Sequence, residues 1–162
     1  MGGVSGSEPR VYLYTGFVVA VWAVAFPALV VWGELGEFAP QWRALPFQIA
    51  AAAVLIIGVA LVMRPARLLA STGARLMSAT PGTRLVTEGA YSRVRNPMDV
   101  GATVIACAPW LAIETQLIWL VPVAAFFHYT LGIGILEDRW LLETFGDEFM
   151  DYRRRVRKWI PR

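Results

Sequence analysis

Two short stretches of this chain hold residue types that could do chemistry. The first runs from Glu88 to Gly101 and carries Tyr91, Arg93, Arg95, Asn96, Pro97 and Asp99. The second is the acidic pair Glu137 and Asp138. Asn96 before Pro97 is a helix-start signature: a capping side chain, then a first-turn residue whose missing N–H costs nothing. Asp99 would be the third helical residue, where a carboxylate can reach back to a free N–H and favours the helix dipole. At the mouth of a cavity the same carboxylate could instead orient or deprotonate a hydroxyl or amine. Glu137 and Asp138 close an apolar run, so they fall at a helix C-terminus, where negative charge opposes the macrodipole. Something positive should compensate them, either Arg93 or Arg95 or a cationic ligand. His128 is the only histidine, nine residues before Glu137 and hence roughly 13 Å deeper along a continuous helix. It is a catalytic candidate by its depth, although a neutral imidazole bonded to a backbone carbonyl would account for it structurally. The lone Cys107 has no disulfide partner and reads as a small buried hydrophobe. No Cys/His set is spaced to bind a metal.

The elements that must position these residues are apolar helices. Of the 162 residues 57% are hydrophobic and only 17% charged, above the apolar share of a soluble domain. No charged side chain occurs between Val11 and Gly33, Ala44 and Met63, Val100 and Ile113, or Thr115 and Leu136. A helix needs about 20 residues to cross the hydrocarbon, where no water can satisfy the backbone. The runs predict an all-α polytopic membrane protein, a single domain over 1–162 with transmembrane helices at 11–33, 44–63, 97–113 and 116–136. The first run exceeds the apolar core of a signal peptide and reads as a retained helix. Residues 1–9 are expected to be disordered. Beyond Leu136, Leu141, Phe145, Phe149, Tyr152 and Val156 recur every three or four residues among charges. That spacing predicts a cytoplasmic interfacial helix over 137–156, which Gly146 is placed to break. Leu68, Leu69, Thr72 and Leu76 predict a short amphipathic continuation of the second helix.

Orientation follows the arginines. The link after the second helix carries Arg64, Arg67, Arg75, Arg84, Arg93 and Arg95, and the tail carries Arg139, Arg153, Arg154, Arg155, Arg157, Lys158 and Arg162. Both segments lie on one side of four spans, so both termini are expected in the cytoplasm. Trp32, Trp42, Trp110 and Trp119 would form an outer interfacial belt, with Trp140 and Trp159 on the inner side. The net charge of +3 then belongs to topology and anionic headgroups. Without a recognition module it argues against nucleic acid as a partner. Gly58, Gly132 and Gly134 are read as close-packing positions.

The run Gly89-Ala90-Tyr91-Ser92-Arg93-Val94-Arg95-Asn96-Pro97-Met98, then Gly101, resembles the signature of the isoprenylcysteine carboxyl methyltransferase and phospholipid N-methyltransferase group of membrane enzymes. In that group Gly-x-Tyr-x-x-x-Arg-His/Asn-Pro-x-Tyr-x-Gly precedes the penultimate helix. An acidic pair ends the last helix, and a Phe-Gly-x-x-(Tyr/Phe)-x-x-Tyr tail follows. Glu137-Asp138, then Phe145-Gly146 through Phe149 and Tyr152, then Trp159-Ile160-Pro161, keep that order. The resemblance covers about Leu85 to Arg162; the first two helices match in hydrophobicity alone. Asp99 departs from it, standing where the group has Tyr.

The resemblance implies S-adenosyl-L-methionine as methyl donor, bound at the cytoplasmic face, and a lipophilic small molecule or membrane lipid as acceptor. It implies cofactor-binding roles for Tyr91, Arg93, Arg95, Asn96, Pro97, Gly101, Glu137 and Asp138; Arg95, Asp99 and His128 stand beside them as catalytic candidates, Asp99 and His128 on their own chemistry and position. The acidic pair suits the cofactor's sulfonium, ammonium and ribose hydroxyls. Its carboxylate suits an arginine or the free N–H groups at a helix start. Two other functions fit the same outline. Membrane sterol and steroid reductases have a similar C-terminal region and use NADPH, but the short chain and the acidic pair favour the methyl donor. The other is a non-enzymatic four-helix lipid-binding protein.

Overall fold

The computed structural model describes residues 21–32, 45–72, 84–112, 119–128 and 134–161, and every regular element among them is helical. A π-helical turn, Val21–Ala25, leads into α1, Phe26–Trp32. Then come α2, Leu45–Ser71, a 3-10 turn at Gly89–Ser92, and α3, Pro97–Ala112. The last two are α4, Leu120–Phe127, and α5, Gly134–Arg155. Expectations for residues 1–9, the start of the 11–33 run, Trp42, Arg75, Leu76 and Gly132 lie outside the described residues.

α2 is the element that most plainly needs a bilayer. Its 27 residues would span about 40 Å, and an 18-residue window has a mean hydropathy of 2.4. Only 11% of that window is buried within the chain. A soluble core helix of that composition would be covered all round. Here Ile56 and Ile57 stay 68% and 55% exposed, which in water would be an apolar patch far beyond the tolerated size. The helix runs well past the predicted end at Met63, to Ser71, so Arg64 and Arg67 stand on its last turns rather than in a loop. The amphipathic continuation is therefore real as far as Thr72, whose hydroxyl donates to the Leu69 carbonyl at 2.6 Å.

α3 packs along α2 at two glycines. A Cβ on Gly58 would lie 2.7 Å from Ile105 Cγ1, and one on Gly101 would lie 2.7 Å from Val62 Cγ2 and 2.9 Å from the Val62 nitrogen. The backbones thus approach as closely as small-residue interfaces allow in lipid. Pro65 cannot donate to the Leu61 carbonyl, and it is on the Leu61–Val62 backbone that Gly101 rests. At the far end Gln48 Nε2 donates to the Ala112 carbonyl at 3.0 Å, satisfying one of the last-turn acceptors of α3.

One expectation is corrected here. Trp110 is no belt residue: it is fully buried and its ring stacks at a tilt on Phe26, centroids 6.0 Å apart. It lies three residues before the predicted end of its run, deep enough for α1 to cover it. Trp32 and Trp119, by contrast, are 85% and 74% exposed. Of the 116–136 run the structure describes α4, with a π turn at His128, and the residues from Gly134 on, which open α5; the stretches between lie outside the described residues.

α5 breaks at Gly146, whose φ of 51° and ψ of −123° only glycine adopts without strain. Past the break the apolar stripe predicted from spacing is buried. Phe149 and Tyr152 pack with Leu85, and Leu141, Phe145 and Val156 close around them. The C-terminal helix therefore covers the loop 84–96 with its apolar face.

Candidate functional site

The loop between the 3-10 turn and α3 is held from the C-terminal side by three hydrogen bonds. Tyr152 donates its hydroxyl to the Tyr91 carbonyl at 2.7 Å. The Arg95 N–H donates to the Arg157 carbonyl at 2.9 Å, and the Asn96 N–H to the Lys158 carbonyl at 3.2 Å. These bonds present Arg95 and Asn96 to the first turn of α5, where the acidic pair stands.

The two acids take different partners. Asp138 Oδ1 accepts from Arg95 Nη1 at 3.2 Å and pairs with Lys158 Nζ at 3.6 Å. All three side chains are largely buried, and the Arg95 guanidinium also lies over the Phe149 ring, 5.7 Å from its centroid. Glu137 Oε2 accepts instead from the neutral Asn96 Nδ2 at 2.8 Å. The same nitrogen donates to Asp99 Oδ2 at 3.0 Å. An amide nitrogen carries two hydrogens, so Asn96 bridges the two carboxylates. The expected backbone cap by Asp99 gives way to this side-chain bond. One consequence is that two acids are held near each other with a neutral group between them.

Electrostatics follow from that crowding. Protein packed about Glu137 pushes its carboxyl above the ordinary carboxylate range, and the Asp138 charge adds to this. The Asn96 bond, Lys158 and Arg95 pull the other way. The side chain nevertheless keeps an exposed face, so solvent moderates the rise. Tyr91 and Tyr152 are both held above the usual phenol range, first by burial and then by the Glu137 charge, so each remains a hydrogen-bond donor. Tyr91 directs its hydroxyl to Met98 Sδ at 3.6 Å.

Of the residues singled out in the sequence, the structure brings together Arg95, Asn96, Asp99, Glu137 and Asp138, with Tyr91 and the buried Pro97 supporting the loop. Three it does not. Arg93 is exposed and lies with Arg155 and Arg157: it caps the 3-10 turn with helical dihedrals (φ −101°, ψ −45°), so no regular extended run carries it round to the side of Arg95. Gly101 is spent on contact with α2. His128 closes α4, a helix that carries none of these five residues although it packs on α3. Lys158 was hidden from sequence reasoning among the tail's basic residues; its neighbours Trp159-Ile160-Pro161 were the only signal near it.

A helical membrane protein with an Arg-Asn-Pro loop bridged to an acidic pair is the class these elements define. The family model for phospholipid methyltransferase matches residues 47–148, and the chain belongs to that family. The match takes in α2, which the sequence motifs alone did not reach, and ends just past the Gly146 break. No curated protein and no solved structure matches the chain with significance.

Proposed function

We propose that this protein transfers a methyl group from S-adenosylmethionine to a lipophilic acceptor, in a site at the cytoplasmic ends of four spans with both chain termini on that side. The observation that carries this reading is the unequal pairing of the acids. Asp138 is paired with Arg95 and Lys158, while Glu137 hydrogen-bonds the neutral Asn96 amide, feels those two cations only from further off, and keeps an open face. A cation placed there would balance Glu137.

Arg95 supports the same fit from the anion side. Its Nη1 is used by Asp138, but its Nε is buried and finds no acceptor among the described residues. A buried guanidinium nitrogen without a partner costs about 1–3 kcal/mol or more, and a carboxylate would relieve it through a forked bond. The residues present thus suit a ligand with separated positive and negative groups, as an amino-acid-bearing sulfonium has. When bound, the cofactor supplies an electrophilic methyl group. The chain's own work is then to align, to exclude water and to manage one proton.

Asp99 is the residue placed to hold that proton. Bridged through Asn96 to Glu137, it can accept hydrogen from an acceptor hydroxyl or amine. A carboxylate acceptor would be repelled by it. The acceptor is therefore read as an alcohol, phenol or amine, delivered sideways from the bilayer.

The test is thermal melting of detergent-solubilised protein with S-adenosylmethionine, S-adenosylhomocysteine or NADPH. A ligand at about 100 times its dissociation constant stabilises the native state by about 2.7 kcal/mol. A shift with the first two and none with NADPH is expected. Stabilisation by NADPH alone would move the protein to the reductases, and a well-folded preparation unmoved by all three would remove the enzymatic reading.

A further inference from the structure

Arg93 opens a second site on the other side of the same loop. With Ser92, Arg155, Arg157 and Pro161 it lines an open cavity of about 380 Å³. Three arginines and a serine line one space with no acid in its lining. The neighbouring acids are engaged elsewhere. Asp151 pairs with Arg154 at 3.5 Å, Glu88 with Arg84 at 2.6 Å, and Asp138 with Arg95 and Lys158.

The concavity is built rather than incidental. Its two walls are the 92–93 loop and the 155–161 tail, and the Arg95-to-Arg157 and Asn96-to-Lys158 backbone bonds staple them together. Tyr152 adds a third tie to the Tyr91 carbonyl. Arg155 donates its Nε to the Asp151 carbonyl at 3.3 Å, which orients the side chain. Three like charges held in one hollow repel one another unless a counter-ion is present. Planar guanidinium forks match the oxygens of a phosphate better than any other common anion.

We infer that this cavity binds the phosphate of an anionic phospholipid headgroup. Lipid is favoured over a soluble phosphate by what stands beside the arginines: Ile160, 69% exposed, follows Trp159 on the rim-forming tail. An apolar side chain and an indole next to basic groups suit the headgroup boundary, where aromatic rings collect and anionic lipid attracts arginine. The inference rests on the cytoplasmic placement of this tail but not on the methyl donor. Its test uses no cofactor, so the two readings fail separately.

The protein in dodecyl maltoside is titrated with phosphatidylglycerol, phosphatidylcholine and inorganic phosphate, and bound lipid is counted by native mass spectrometry. Arg93→Gln/Arg155→Gln/Arg157→Gln is compared with Arg84→Gln/Arg139→Gln/Arg154→Gln, which removes the same charge from other exposed positions. Lipid-free melting reports folding of each, and the single variant Arg93→Gln serves if the triple one is unstable. Phosphatidylglycerol should bind wild type in preference to phosphatidylcholine, and the cavity variant should lose at least about tenfold in affinity while the control keeps it. Equal loss in both variants, undiminished binding in the cavity variant, or inorganic phosphate binding as tightly as the lipid would each overturn the inference.

Discussion

Asn96 Nδ2 and Glu137 Oε2 meet at 2.8 Å across 41 positions of sequence, and this bond joins the start of α3 to the start of α5. It ties the residue that begins one helix to the acid that a helix C-terminus would otherwise disfavour. The Asn96 amide, with Lys158 and Arg95 acting from further off, is what the structure sets against the charge of Glu137.

Glu137 should make cofactor affinity depend on pH. Its folded carboxyl is raised above the ordinary value of 4.5, so the folded state holds its proton more tightly than the unfolded chain does. Stability from this group is greatest below that value and falls as pH rises through the raised one. A cationic ligand needs the charged form, so its affinity should fall as pH drops through the same window. Titration calorimetry of S-adenosylhomocysteine across pH should show this slope in wild type, and Glu137→Gln should bind more weakly with the slope flattened. A Glu137→Gln protein with wild-type affinity and slope would show that another group is responsible.

Arg95→Ala should be costly to the fold as well as to binding. Breaking a buried ion pair by removing one partner costs about 3–5 kcal/mol, and the Phe149 contact goes with it. Removing Asp138 as well should restore part of the loss, since no buried carboxylate is then left with only the longer 3.6 Å contact to Lys158. A double-mutant cycle on melting and on cofactor affinity separates the two roles. Coupling in stability with unchanged affinity would reduce the pair to a structural tie.

Asp99→Asn should slow methyl transfer by about 100-fold or more while cofactor affinity stays near normal, as loss of a general base does. The amide keeps the size and can still bond Asn96 in the opposite sense. Single-turnover rates against a labelled donor and a lipid extract measure it. Near-normal turnover would leave Asp99 as part of the hydrogen-bonded bridge alone.

Gly101→Ala should destabilise the protein without a selective effect on cofactor affinity. The added Cβ meets Val62 side chain and backbone at under 3 Å, and overpacking of this kind costs about 1–3 kcal/mol. Gly58→Ala should behave alike against Ile105. A Gly101→Ala protein that melts normally but loses cofactor would return this glycine to the binding site.

The sequence by itself determined what one helical turn or one apolar run can encode. The Asn96-Pro97 start of α3, the burial stripe Phe145, Phe149 and Tyr152, the break at Gly146 and the exposed apolar surface of α2 were all legible, because caps, period and hydropathy are local. Tertiary structure alone decided the partners. Arg93 and Arg95 stand two positions apart and read alike in sequence, yet only Arg95 meets the acids, since Arg93 still has the helical dihedrals of the 3-10 turn's C-cap. Lys158 reaches Asp138 only because the tail is stapled back onto the loop. Trp110 enters the core only because α1 lies over it, and Gly101 is fixed by the crossing of α2. These pairings join residues tens of positions apart, so their energy comes from packing that no local pattern records.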